Sequence, residues 1–213
     1  MNQINLQDYI QNPCRVSSLP FWKTKNIDVP ADMLIVHDEQ YQTGCFNEYD
    51  DERYFRLRHD MNGLHKPDLP YGYTVVYATA SEYANHINDC YSDLSVTEEL
   101  ISSYADHVVY VDDLWVAVAD NETKRIVASG IAEYDSEVCE GALEWIQVNE
   151  AYRRKGLGQF IVNELLWRMK DKALFVTVSG KAGNETNPEL LYRSCGFAGA
   201  DIWHILRRKK DQK

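Results

Sequence analysis

Hydrophobic and polar positions alternate in short runs along this chain, and each change of period marks an element. Tyr54 to Arg58 alternates as a strand does, and Leu114 to Ala119, Arg125 to Tyr134 and Ala142 to Val148 read as three further strands. Asp120-Asn121-Glu122-Thr123 lies between the first two of those three, with the residue types of a hairpin turn. Residues 80–92 and 97–105 carry helical spacing and are divided near Ser95, with Ser95 or Thr97 placed to cap the second helix. Gln159 to Lys170 is amphipathic, with Phe160, Ile161, Leu165 and the Trp167-Arg168-Met169 group on its apolar side. Leu174 to Val178 is a short apolar run of the kind buried on both faces of a sheet. Asn187 and Pro188 suit the cap and first turn of a helix reaching Ser194, and Gly196 stops it. Ile202 to Arg207 supplies a last strand.

The first quarter is less regular. Leu6 to Gln11 predicts a short helix broken by Pro13, Pro20 and Pro30 mark turns, and Met33 to Val36 is strand-like. Phe21, Trp22 and several aliphatic residues give this part enough apolar surface to pack on the rest. The acidic group Glu48-Tyr49-Asp50-Asp51-Glu52 reads as a connector. The expected organisation is an N-terminal extension, residues 1–52, packed on a main domain of residues 53–213. No internal repeat interrupts it.

Composition narrows the class. A chain of 213 residues with 45% hydrophobic and 26% charged residues can bury one substantial core. Its five cysteines are an odd number with no Cys-x-x-Cys pair, which suits reduced thiols. The six histidines show no metal-binding spacing, so no metal is expected. No apolar run reaches the length of a membrane span, and Met1-Asn2-Gln3-Ile4-Asn5 lacks a basic leader, so a cytoplasmic protein with no membrane partner is expected. A net charge of −11 argues against nucleic acid as a partner and is compatible with a cationic one. Against that background Arg153-Arg154-Lys155 forms a basic island, and Arg207-Arg208-Lys209-Lys210 reads as a solvated tail.

The basic island belongs to the segment richest in chemistry, Val148 to Gln159, which carries three cations and two glycines between a strand and a helix start. Glycine lets the backbone approach a ligand, and the first amides of a helix are unpaired donors at the positive end of its dipole. A pyrophosphate suits such a turn. Lys155-Gly156-Leu157 lacks the Ser or Thr of a P-loop. Ile161 stands where a dinucleotide-binding turn needs a small residue. A Gly-x-Gly turn alone also occurs as an ordinary solvated turn.

Arg153, Gly156 and Gly158 fit the pattern Arg-x-x-Gly-x-Gly, and Leu191-Tyr192-Arg193-Ser194-Cys195-Gly196-Phe197 fits Leu-Tyr-x-x-x-Gly-Phe. In these two motifs, and in the elements between them, the chain resembles the GCN5-related N-acetyltransferase (GNAT) family. The resemblance runs from about Arg53 to Arg208 and is clearest from Leu114 onward. It implies an α/β (α+β) GNAT fold: a central mixed, largely antiparallel sheet flanked by helices, here with an N-terminal extension. It also implies acetyl-CoA as co-substrate, transfer of acetyl to a primary amine by direct attack, a small-molecule or peptide amine as acceptor, and a monomer or homodimer.

Site residues follow from the same resemblance. The backbone of Ile146 and Val148 would contact the pantetheine arm and thioester. Arg153, Arg154, Lys155, Gly156, Leu157, Gly158 and Gln159 would hold the pyrophosphate. Tyr192 matches the tyrosine proposed to protonate the leaving thiolate, and a phenol with a pKa of about 10 carries that proton at neutral pH. The other reading of Tyr192 is a ring packed between helix and sheet. Glu144, beside Trp145, is a candidate general base or a carboxylate on a solvent face, and Glu133 is held in reserve. The family often places Asn seven residues before the tyrosine; position 185 is Glu here, and a one-residue shift brings in Asn184. A non-catalytic acyl-CoA-binding or regulatory module on the same fold is the alternative, and a nucleotide-binding protein is a third reading.

Overall fold

A computed structural model describes residues 4–91, 94–184 and 186–209. In chain order its helices and strands are α1 (Leu6–Gln11), α2 (Pro13–Val16), α3 (Phe21–Asn26), β1 (Met33–His37), β2 (Tyr49–His59), β3 (Tyr73–Val76), α4 (Ala80–Cys90) and α5 (Glu98–Ser103). They continue as β4 (Trp115–Asp120), β5 (Ile126–Asp135), β6 (Glu140–Val148), α6 (Leu157–Met169), β7 (Phe175–Lys181), α7 (Pro188–Ser194) and β8 (Ala198–Arg208). The chain forms two compact units, one of residues 1–59 with 177–213 and the other of residues 60–176.

In the first unit β8 pairs antiparallel with both β1 and β2. Its centre is polar as well as aromatic. Arg56 is 2% exposed and donates to the Tyr9 hydroxyl, Thr177 Oγ1, Ser179 Oγ and the Ser18 carbonyl. His204, also buried, bonds Asp51 through Nδ1 and Asp38 through Nε2, with Tyr41 stacked 3.8 Å from its ring. Such a guanidinium or imidazole is accommodated out of water because most of its polar atoms find partners.

Two expectations are corrected in this unit. The acidic group at 48–52 is not a connector: from Tyr49 it is the start of β2, where Tyr49 and Asp50 stand opposite Arg208 and Arg207. Nor are Arg207 to Lys209 a solvated tail. Arg207 and Arg208 end β8, Arg208 pairs with Glu48 at 3.2 Å, and Lys209 bonds Asn47 and Glu48 backbone atoms. Opposite charges on facing strand positions hold each other in register, and a one-strand reading cannot see that. Lys210, and Met1 to Gln3, lie outside the described residues.

In the second unit the strand order is β6-β5-β4-β3, antiparallel throughout. Asp120 makes the β4–β5 turn expected from sequence, its Oδ1 accepting from the amides of Glu122 and Thr123. Thr97 caps α5 through Leu100 N, and Thr79 forms a capping box with Glu82 at the start of α4. Helix α4 ends at Cys90, and Ser92 lies outside the described residues.

The two faces of this sheet carry different helices. On one, Gly130 and Gly141 are the floor for α6: a Cβ on Gly130 would strike Ile161, and one on Gly141 would stand 2.5 Å from Met169 Sδ. On the other, Ala117 and Ile131 pack with Tyr83, Ala84 and Ile87 of α4 and Ile101 of α5, and Trp145 closes the cluster. Several features had no clear signal in the sequence. Strand β3 has only four residues, α2 and α3 are too short to show a period, and Asn187 begins α7 without a side-chain cap bond, at φ 45°.

Candidate active site

The candidate site is built on strand β6. Gly130 of β5 stands opposite Ile146, but Ala132 stands opposite Leu143, so Glu144 and Trp145 together face Ile131. One extra residue on β6 makes a β-bulge, which interrupts the ladder and turns the strand. Ile146 points to the α6 face, its Cδ1 lying 3.0 Å from where a Gly130 Cβ would be. Trp145 points to the other face, and its Nε1 donates to the Tyr104 hydroxyl at 3.0 Å. Glu144 and Val148 are half-buried.

Beyond Val148 the chain turns sharply. Asn149 Oδ1 accepts from Ala151 N to start a short 3₁₀ turn, Glu150–Tyr152. Arg153 Nε then donates to the Val148 carbonyl at 3.3 Å, which fixes the guanidinium against the strand end. Arg154 and Gly156 both adopt left-handed backbone, φ 62° and 81°, and these reverse the chain into α6. The first intrahelical bond is Phe160 N to the Gly156 carbonyl, at 2.9 Å. Among the described residues no side chain caps this end. The amides of Leu157, Gly158 and Gln159 therefore point out of a thirteen-residue helix with the dipole behind them. Arg154, Lys155, Gly156 and Gln159 are exposed around them, and Leu157 is buried as the helix anchor. The Lys155 ammonium lies 4.7 Å over the Tyr152 ring, Tyr152 meets Tyr73 edge-on, and Pro70 backs Gly156. These residues fit an anionic pyrophosphate, since donors, dipole and cations converge on one exposed point.

Both candidate bases are in this unit. Glu133 is 3% exposed, opposite Ala142 on the β5–β6 ladder, with its carboxylate 3.1 Å from His107 Nδ1. Glu144 stands on the bulge itself. The structure also gathers polar residues that the sequence reading passed over. Ser129 and Gln147 are buried partners on facing strands, and His86 of α4 hydrogen-bonds the Gln147 backbone. Burial pushes the His86 pKa down to about 4, so its imidazole is neutral. Burial pushes the neighbouring Cys90 thiol up to about 11, although the charge of Arg153 opposes this. The sequence signal was a His–Cys pair four apart on one helix, too common to interpret alone.

Tyr192 and Asn184 belong to the first unit. Tyr192, on α7, is 6% exposed, with Phe55 and Phe197 rings 6.1 and 5.8 Å away. The packing role considered for it is therefore present. Asn184 is exposed, and its Oδ1 accepts from the amide and hydroxyl of Thr186. Glu185, where the family pattern has Asn, lies outside the described residues.

Residues 111–198 match the model of the acetyltransferase (GNAT) domain. Over that segment the chain is similar to the GNAT domain. Solved structures agree on the GNAT fold. A GCN5-related N-acetyltransferase from Sphaerobacter thermophilus is similar over 94% of this chain, with a TM-score of 0.65 and 15% identity. This chain spans 64% of that protein's length. A tandem GNAT protein from the clavulanic acid biosynthesis pathway matches 76% of this chain and 55% of its own, at a TM-score of 0.55 and 16% identity. The ribosomal-protein-S18-alanine N-acetyltransferase of Escherichia coli matches 66% of this chain and 98% of its own, at a TM-score of 0.50 and 16% identity. Comparison with curated protein sequences finds no match. Among the described residues no helix is long and apolar enough to cross a membrane, and no cluster of His, Cys, Asp and Glu is arranged to hold a metal.

Proposed function

We propose that this GNAT chain is an acetyl-CoA-dependent N-acetyltransferase that moves the acetyl group to a primary amine by direct attack. The observation that carries the reading is the uncapped start of α6, opened by Gly156 in the turn that follows the bulged strand β6 and preceded by Arg153, Arg154 and Lys155. The amides of Leu157, Gly158 and Gln159 would take the pyrophosphate, with Arg154 and Lys155 as its counter-charges. The backbone of Ile146 and Val148, just past the bulge, would hold the pantetheine arm and polarise the thioester carbonyl. Asn184 is assigned to the cofactor by its place near the family's Asn.

In the reaction the neutral amine attacks the carbonyl carbon, the carbon–sulfur bond breaks, and the amine's proton leaves as the thiolate gains one. Glu144 is assigned the first proton, directly or through water, because it stands on the bulge, whereas Glu133 is already engaged by His107. Tyr192 is assigned the second by its place in the Leu-Tyr-x-x-x-Gly-Phe segment. The acceptor is a small-molecule or peptide amine and the location cytoplasmic; the acidic balance of the chain is compatible with both.

A melting curve with and without acetyl-CoA tests the reading. Ligand at one hundred times its Kd stabilises by about 2.7 kcal/mol, which for a chain of this size is roughly 5–10 °C in Tm. A shift of that size followed by release of free CoA thiol in an amine screen supports the enzyme. A shift without turnover on any amine points to the binding module, and no shift with any acyl-CoA rejects the reading.

A further inference from the structure

A second recess lies in the 60–176 unit, lined by residues for which the proposed chemistry has no use. Strand β3 makes its last pair, Val76 with Ala117, before β4 has run back to its first residue, Trp115. The chain leaves β3 through Tyr77 towards α4, so Trp115 stands beyond the end of its neighbour. The result is an open cleft of about 460 Å³, walled by Tyr77, Tyr83, Tyr110 and Trp115 and edged by Asp112 and Arg168. The rings form a corner: Tyr83 and Tyr110 each meet Trp115 edge-on, at 5.2 and 5.7 Å between centroids. Tyr77 is 86% exposed at the mouth.

The charges at the rim are unequal in their engagement. Arg168 is already paired, with Nε donating to Glu164 at 2.8 Å and Nη1 to the carbonyl and carboxylate of Asp113. Asp112 accepts a hydrogen bond from the Tyr110 hydroxyl at 3.0 Å, and among the described residues no cation pairs with it. The cleft thus offers aromatic faces and one carboxylate without a counter-ion.

We propose that this cleft binds an organic ammonium ion. Ring faces attract a cation through their quadrupole, most strongly one with little hydration to lose. The Asp112 carboxylate supplies the opposite charge. An anion would meet the Asp112 and Asp113 carboxylates, and a neutral apolar ligand would cover Asp112 without pairing it. A bare metal ion needs several oxygen ligands, which the rings do not provide. Burial also raises the pKa of Tyr83 and Tyr110, so these rings stay neutral phenols across the physiological range.

The same chemistry fits the cationic part of an amine acceptor and a separate ammonium effector. Calorimetric titration of the full chain, without CoA, tests binding itself. The probes are choline and its neutral carbon isostere, 3,3-dimethylbutan-1-ol. Saturable binding of choline in the millimolar range or tighter, with none for the alcohol, is expected. Asp112→Asn should weaken choline roughly tenfold, and Tyr77→Ala roughly fivefold. Both side chains are exposed, so Tm should be unchanged in either variant, and that control separates lost binding from lost fold. Equal binding of the alcohol, no saturation by choline, or choline binding unaffected by both substitutions would overturn the proposal.

A kinetic arm, which rests on the acetyltransferase reading, distinguishes the two sources. Tetramethylammonium that raises KM for the amine at constant kcat identifies the cleft as part of the acceptor site. Unchanged KM beside intact choline binding identifies a separate site. Failure of the enzyme reading leaves the calorimetric test standing.

Discussion

Ile161 of α6 rests directly on Gly130 of β5, with Ile146 Cδ1 and Leu165 Cδ1 completing the contact. The helix that begins after Gly156 is thereby seated on the two strands that carry the bulge. A methyl group at position 130 has no room unless α6 lifts, and overpacking of this kind costs about 1–3 kcal/mol. Gly130→Ala is expected to lower the free energy of unfolding, measured in urea, by that amount and to weaken acetyl-CoA binding with it. Unchanged stability would show that α6 shifts without cost.

Gly156 calls for a different argument, because its restriction is conformational. At φ 81° a side chain is strained wherever space exists, and its Cβ would stand 3.5 Å from Pro70 Cγ. A β-branched residue in left-handed backbone costs about 1–2 kcal/mol locally, and relief would rotate the amides of Leu157 and Gly158 away from their ligand. Gly156→Val should abolish the thermal shift given by acetyl-CoA while lowering the Tm of the free protein by only a few degrees. A retained shift would mean that the turn does not hold the cofactor.

The roles proposed for Tyr192 and Glu144 are tested by kinetics. Tyr192→Phe keeps the ring that packs on Phe55 and Phe197 and removes only the hydroxyl. A proton donor or base contributes about 10²- to 10⁴-fold to rate. Both Tyr192→Phe and Glu144→Gln should therefore lower kcat by at least about 100-fold, with Kd for acetyl-CoA unchanged. If Glu144→Gln is fully active and Glu133→Gln is not, the base is Glu133.

His86 gives the fold a pH dependence. Its folded pKa, about 4, lies below the unfolded value of 6.5 because burial disfavours the cation. Between those values the unfolded chain binds the proton that the folded chain refuses. The contribution of a neutral His86 is complete above pH 6.5 and declines as pH falls towards 4, by about 1.4 kcal/mol per unit. Urea midpoints measured from pH 7 to pH 5 should fall more steeply for the wild type than for His86→Gln. Parallel curves would mean that His86 takes up its proton without leaving its site.

The sequence by itself determined the elements with a long period and the turns with a specific chemistry. The β4 to β6 strands, α6, the Asp120 turn and the Arg153–Gly158 segment were legible because their signals are local: alternation, helical spacing, and glycine where the backbone must be left-handed. It also placed Glu144, Ile146 and Val148 on a strand and Tyr192 on a helix, where the structure has them, but began α6 at Gln159, two residues after its start at Leu157. Tertiary structure decided what depends on residues far apart in the chain. The acidic run is strand from Tyr49 on, where it pairs with β8 and meets Arg208 and Arg207. The bulge that pairs Glu144 and Trp145 against Ile131 is a mismatch between two strands, and neither strand shows it alone. Gly130 reads as an ordinary strand glycine until Ile161 is seen above it. The aromatic cleft exists because β3 stops short of Trp115, and no run of sequence records where a neighbouring strand ends. Local propensity is written residue by residue, whereas register, burial and charge pairing arise only when distant segments meet.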